Sequence, residues 1–82
     1  MNDQIARSEK QIGAILRRAR KQAGLTQAEL GDRTRLRQGT LSRLEAGEPA
    51  MQVRTLMAAL SALGLELVVR PRGKAGDIED LF

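Results

Sequence analysis

The sequence predicts a small all-α domain of four helices followed by a single short β-strand. Apolar residues recur at helical spacing up to Gly64 and then give way to a β-branched run. A chain of 82 residues has room for one domain. We therefore expect a flexible leader over residues 1–8, a helical domain over 9–64, a strand over 65–71 and a disordered acidic tail over 72–82.

The first predicted helix begins at Glu9 and ends before Gly24. Its apolar positions follow the i, i+3, i+4, i+7 spacing of one helix face and are Ile12, Ile15, Leu16 and Ala19. The basic residues fill other positions of the same turns and are Arg17, Arg18, Arg20 and Lys21. We interpret this basic set as a solvated face, with contact to a phosphate by one of its members as the alternative.

Two short helices with a three-residue turn between them are predicted next. The sequence from Thr26 to Glu29 is a capping box, in which the threonine hydroxyl and the glutamate carboxylate satisfy each other's free backbone donors. This second helix should end near Arg33 or Thr34, and the third helix should run from Gln38 to Ala46. Such a pair has helix-turn-helix geometry, in which the second helix enters the major groove of a DNA duplex.

A fourth helix and a strand complete the prediction. The helix runs from about Val53 to Leu63, and its apolar stripe is Leu56, Ala59, Leu60 and Leu63. The strand runs from Leu65 to Arg70 before Pro71. Because a lone strand lacks a pairing partner, we expect the same strand of a second copy to pair with it in a homodimer. The dimerisation residues would be Leu65, Leu67, Val68 and Val69; the alternative is a frayed extension that packs on its own fourth helix.

Composition narrows the classes of function. The 14 basic residues outnumber the 10 acidic ones, and a basic body favours a polyanionic partner. Since the only aromatic residue is Phe82, stacking on single-stranded nucleic acid is disfavoured. The absence of histidine and cysteine argues against an enzyme, a metal site or a cofactor. No run approaches the roughly 18 apolar residues of a membrane span, so we expect a cytoplasmic protein.

The helix-turn-helix segment resembles a known family. The runs from Leu25 to Leu30 and from Gly39 to Gly47 are similar to the Cro/C1-type (XRE) helix-turn-helix family. The resemblance covers roughly residues 12–64 and implies a lambda-repressor-like fold that binds double-stranded DNA. The positions that match base-facing ones are Arg37, Gln38, Gly39, Ser42 and Arg43. The expected phosphate contacts are Arg18, Gln27 and Thr40, and a phosphate at the groove edge is the alternative contact for Arg43.

The chemistry of these side chains fits that assignment. The Gln38 amide can pair with adenine N6 and N7, and the guanidinium of Arg37 or Arg43 can pair with guanine O6 and N7. Gln27 lies at the start of a predicted helix, where the free backbone N–H groups favour an anion. Gly39 places no side chain near the bases and would allow a close approach. Glu45 would be repelled by DNA, so we expect it to pair with an arginine or to hold the loop.

Three residues depart from the family pattern. Arg35 stands where glycine is usual, and a left-handed conformation there would cost on the order of 1 kcal/mol. Arg37 stands at a helix N-cap that it cannot fill well, so we interpret it as a DNA contact. Gly31 replaces the usual alanine, which we expect to cost roughly 1 kcal/mol of helix stability.

A narrower resemblance is carried by the C-terminal third. The sequence from Leu63 to Leu67, with the strand and polar tail that follow, is similar to the HipB-like antitoxins of HipA/HipB toxin–antitoxin modules. This implies a dimer that binds its own palindromic operator and holds a HipA-like kinase toxin. Leu81 and Phe82 are candidate toxin contacts, with a solvated tail as the alternative. A free-standing XRE regulator or phage-type repressor without a toxin is the other function considered.

Overall fold

A computed structural model describes residues 3–72, which form four helices and no strand. The helices are α1 (Glu9–Gln22), α2 (Gln27–Thr34), α3 (Gln38–Glu45) and α4 (Val53–Ala62). The predicted all-α, four-helix class is thereby confirmed, and each boundary lies within one or two residues of its prediction. The predicted tail contacts Leu81 and Phe82 lie outside the described residues.

The turns lie where the glycines predict them, and one turn lacks a glycine. Gly24, Gly47 and Gly64 all have positive φ and follow the ends of α1, α3 and α4. Arg35, after α2, also adopts the left-handed conformation, with φ 60° and ψ 27°. The expected strain at Arg35 is therefore present.

The capping of α2 is as predicted. The Glu29 N–H donates to Thr26 Oγ1 at 3.1 Å, and the Thr26 N–H donates to Glu29 Oε1 at 2.9 Å. At the start of α3, Arg37 makes no side-chain capping bond. The arginine there leaves the helix end uncapped, as its side-chain chemistry predicts.

The core is formed almost entirely by leucine, with α1 packed on α3 and α2 packed on both α3 and α4. Its buried members are Leu16, Leu25, Leu30, Leu41, Leu44, Leu56, Ala59 and Leu60. The stripe predicted for α4 is thus buried except for Leu63, which is half-buried against the same cluster.

Backbones approach closely where α1 meets α3. A Cβ added to Gly13 would lie 2.8 Å from the carbonyl oxygen of Leu44, and one added to Gly47 would lie 2.7 Å from the nitrogen of Lys10. Side chains do not fit at either position. These contacts fix the C-terminal end of α3, and the turn after it, against the first two turns of α1.

Gly31 has a role that helix propensity did not reveal. A Cβ at this buried position would lie 2.7 Å from the carbonyl oxygen of Leu36. The glycine therefore lets the turn before α3 fold back onto α2, where the Leu36 N–H donates to Gly31 O at 3.1 Å. Treating Gly31 purely as a loss of helix stability was wrong.

The segment after α4 has neither helix nor strand within the described part of the chain. Leu65 donates its N–H to Leu60 O at 2.8 Å and packs its side chain against the chain's own core. Leu67, Val68 and Val69 are instead 56%, 66% and 92% exposed. Of the four predicted dimerisation residues, three present apolar surface to solvent, and Leu65 belongs with the core.

Candidate nucleic-acid interface

The outer face of α3 carries the predicted base-reading set. Its members are exposed and are Arg37, Gln38, Gly39, Ser42 and Arg43. Leu41 and Leu44, on the opposite side of the helix, are 0% and 2% exposed and anchor α3 in the core. The helix therefore presents two guanidinium groups, an amide and a hydroxyl outward from a fixed support, and Gly39 leaves open space between them.

Arg43 takes part in an exposed ion pair. Its Nε lies 3.4 Å from Oε2 of Glu48, and the two side chains are 65% and 44% exposed. Arg43 is one of the residues that the sequence predicts to contact bases. The structure brings a carboxylate next to one of the candidate base contacts.

A buried hydrogen-bond network lies behind the outer face of α3. It joins side chains from α1, α2 and α3. The Nε and Nη2 groups of Arg20 donate to Glu45 Oε2 at 2.7 Å and Oε1 at 3.0 Å. Arg20 Nη1 also donates to the carbonyl oxygen of Leu25 at 2.8 Å, and Gln27 Nε2 donates to Glu45 Oε1 at 3.2 Å. One carboxylate therefore ties α1 and the start of α2 to the last residue of α3.

This network corrects the prediction for Arg20. The residue is 8% exposed and belongs to the buried side of α1, not to its solvated face. The signal was present in the sequence, because Arg20 follows buried Leu16 by four residues. Its partner lies 25 residues away in the chain, so no local periodicity indicates it. The expectation that Glu45 pairs with an arginine is confirmed.

The same contacts shift the protonation equilibria of the pair. The hydrogen bonds that Arg20 donates to Glu45 hold the pKa of the Arg20 guanidinium above its usual range, although burial opposes this. Burial acts to raise the pKa of Glu45, but the hydrogen bonds from Arg20 and Gln27 and the charges of Arg20 and Arg17 outweigh it. The net pKa of Glu45 is lowered. Both groups are therefore charged near neutral pH.

The predicted phosphate contacts differ in their surroundings. Arg18 is exposed on α1 and lines a shallow groove with Arg17, Lys21 and Gln22. Thr40 and Gln27 are half-buried. The Gln27 amide nitrogen is held by Glu45, and an amide has a second N–H that this bond does not use. Gln27 thus lies at the N-terminus of α2, and its hydrogen bond to Glu45 fixes the orientation of its amide group.

Two kinds of feature are absent from residues 3–72. This part of the chain contains no cluster of three acidic side chains that could hold a metal ion. Nor does it contain a helix that is long and apolar enough to cross a membrane.

Comparison with known families identifies the class of protein. The family model HTH_3, described as helix-turn-helix, matches residues 16–69, which is more than half of the chain. The chain belongs to this family of DNA-binding regulators, the XRE type that its α2–α3 sequence resembles.

Among solved structures, those of HipB resemble this chain. A HipB variant in complex with the O2 20mer has a TM-score of 0.82 and 26% identity, covering 88% of this chain and 100% of that one. The HipA–HipB–O2–O3 complex contains a chain with a TM-score of 0.80 and 25% identity, covering 87% of this chain and 100% of that one. No curated protein matches the chain. The fold of this chain is HipB-like over nearly its whole described length.

Proposed function

We propose that this chain is a HipB-like antitoxin, a dimeric repressor that binds the operator of its own operon and restrains a HipA-like kinase toxin. The observation that carries the proposal is the match along the full length of HipB chains, including one in complex with HipA. A helix-turn-helix core by itself would suit any XRE regulator. The added support comes from the C-terminal segment, which continues past α4 with exposed apolar residues.

In the proposed complex, α3 enters the major groove. Gln38 and the two arginines of the exposed set contact base edges, and Gly39 allows the helix to approach closely. Arg18, Gln27 and Thr40 contact phosphates, which fixes the register of the helix without reading sequence. The exposure of the base-reading set and the oriented amide of Gln27 support this division of roles.

The proposed homodimer forms through residues 65–71. Leu67, Val68 and Val69 are consecutive apolar residues that the single chain leaves in water. Pairing of this segment with its copy across a two-fold axis would satisfy its backbone groups and cover these side chains. Two recognition helices related by that axis would require a palindromic operator.

DNA reading is tested by truncating Gln38 to alanine. We expect affinity for the preferred duplex to fall by about 1–3 kcal/mol, with relaxed preference at one base pair per half-site. Fluorescence anisotropy with preferred and scrambled duplexes measures both effects. An equal loss on the two duplexes would remove Gln38 from the base-reading set.

The antitoxin role is tested by co-expression with the kinase-fold protein encoded beside this chain's gene. We expect the two proteins to purify as one complex that still binds the operator duplex. A neighbouring gene with no such product, or a kinase that does not associate, would favour the free-standing regulator.

A further inference from the structure

The ion pair between Arg43 and Glu48 lies at the edge of the exposed face of α3. Oε2 of Glu48 lies 3.4 Å from Nε of Arg43, which is the guanidinium nitrogen bonded to the side-chain stem. The Arg43 side chain is nonetheless 65% exposed, so this ion pair does not bury it. A guanidinium contacts guanine O6 and N7 through two donors, and those on the terminal nitrogens suffice.

The backbone holds Glu48 where it can orient Arg43. The Glu48 N–H donates to the carbonyl oxygen of Arg43 at 3.1 Å, and the Gly47 N–H donates to Leu44 O at 3.1 Å. Gly47, with φ +76°, is packed against the first turn of α1. Pro49 follows directly and restricts the backbone of Glu48 further. The carboxylate therefore projects from a fixed turn.

We infer that Glu48 is a specificity-determining residue for DNA, which acts by holding Arg43 in the orientation that reads a base. The inference rests on the proposed function of α3. The negative charge of Glu48 also opposes binding to phosphates, but this effect is common to all duplexes and does not discriminate between sequences. Specificity therefore comes from the orientation of Arg43 alone.

The experiment compares Glu48→Ala with Asp32→Ala. Asp32 is an exposed acid on α2, so its replacement removes the same charge without touching Arg43. Duplexes are selected from a random-sequence library with each protein, and affinities are measured for the preferred duplex and its single-base-pair substitutions. Thermal unfolding checks that the variants fold, as expected when only an exposed side chain is removed.

We expect Glu48→Ala to reduce discrimination about threefold at one base pair per half-site, and to raise affinity for random duplexes. The affected base pair should be the one that Arg43→Ala also relaxes. In the Arg43→Ala background, Glu48→Ala should have no further effect on discrimination. Asp32→Ala should change all affinities by one common factor.

Two results would overturn the inference. One is a uniform change in affinity for Glu48→Ala, which would reduce Glu48 to a surface charge. The other is a loss of discrimination that persists without Arg43. A wild-type chain that enriches no sequence would instead overturn the proposed function, and this inference with it.

Discussion

At the scale of single residues, the Arg20–Glu45 pair carries the largest energetic consequence. Removal of one partner leaves a buried charge without compensation, and Glu45 also holds Gln27. We expect Arg20→Ala to lower the free energy of unfolding by about 3–5 kcal/mol. Arg18→Ala, in the same helix but exposed, should change it by less than about 0.5 kcal/mol. Urea denaturation measures both, and equal effects would contradict the assigned burial.

The same pair makes stability depend on pH. The pKa of Glu45 is lower in the folded chain than in the unfolded chain, so folding favours its ionised form. Its stabilising contribution is complete above the usual carboxyl range and is lost as pH falls through the lowered pKa. Glu29, whose pKa is lowered by its bonds with Thr26, acts in the same direction. Thermal melts across acidic pH should show this loss, and Glu45→Gln should reduce it.

At the scale of helices and turns, much of the fold follows from local chemistry. The Thr26–Glu29 capping box and the glycines after three of the helices predict the boundaries because each satisfies a helix end directly. The pairing of Arg20 with Glu45 and the requirement for glycine at position 31 did not follow from this local chemistry. The first depends on a contact between α1 and α3, and the second depends on how the turn before α3 folds back onto α2.

The candidate DNA-binding site likewise has one part that the sequence predicts and one part that it does not. The exposed set on α3 was predictable, because this helix must present its polar side outward once its leucines are buried. The pairing of Arg43 with Glu48 was not predictable from helix periodicity, since it depends on the turn at Gly47. The conformation of this turn decides which side chain lies next to the outer face of α3.

Two glycine-to-alanine substitutions distinguish the effect of helix propensity on stability from the effect of steric packing. Helix propensity alone favours alanine by roughly 1 kcal/mol at both Gly31 and Gly39. We expect Gly39→Ala to stabilise the fold by up to that amount, because its added Cβ meets nothing within 4 Å. Gly31→Ala should destabilise it, because its Cβ would lie 2.7 Å from a backbone oxygen. Melting temperatures that rise for both variants would contradict the proposed role of Gly31.

At the scale of the whole molecule, assembly rests on the segment after α4. Proline at Val68 removes a backbone donor from the proposed inter-subunit ladder. Because Val68 is exposed in the single chain, we expect Val68→Pro to spare the monomer fold while the dimer dissociates and operator binding is lost. Analytical ultracentrifugation measures the association. A dimer of unchanged stability would indicate that the subunits meet elsewhere. The next candidates are then exposed Val53 and Met57 of α4.

The central claim is that two copies of α3 read one DNA duplex. Hydroxyl-radical footprinting of the chain on its highest-affinity selected duplex tests it most directly. Two equivalent zones of protection, related by a two-fold axis and about one helical turn or roughly 34 Å apart, are the predicted result. The base-preference profile should share that symmetry. A single zone of protection, or uniform protection along the duplex, would contradict the account.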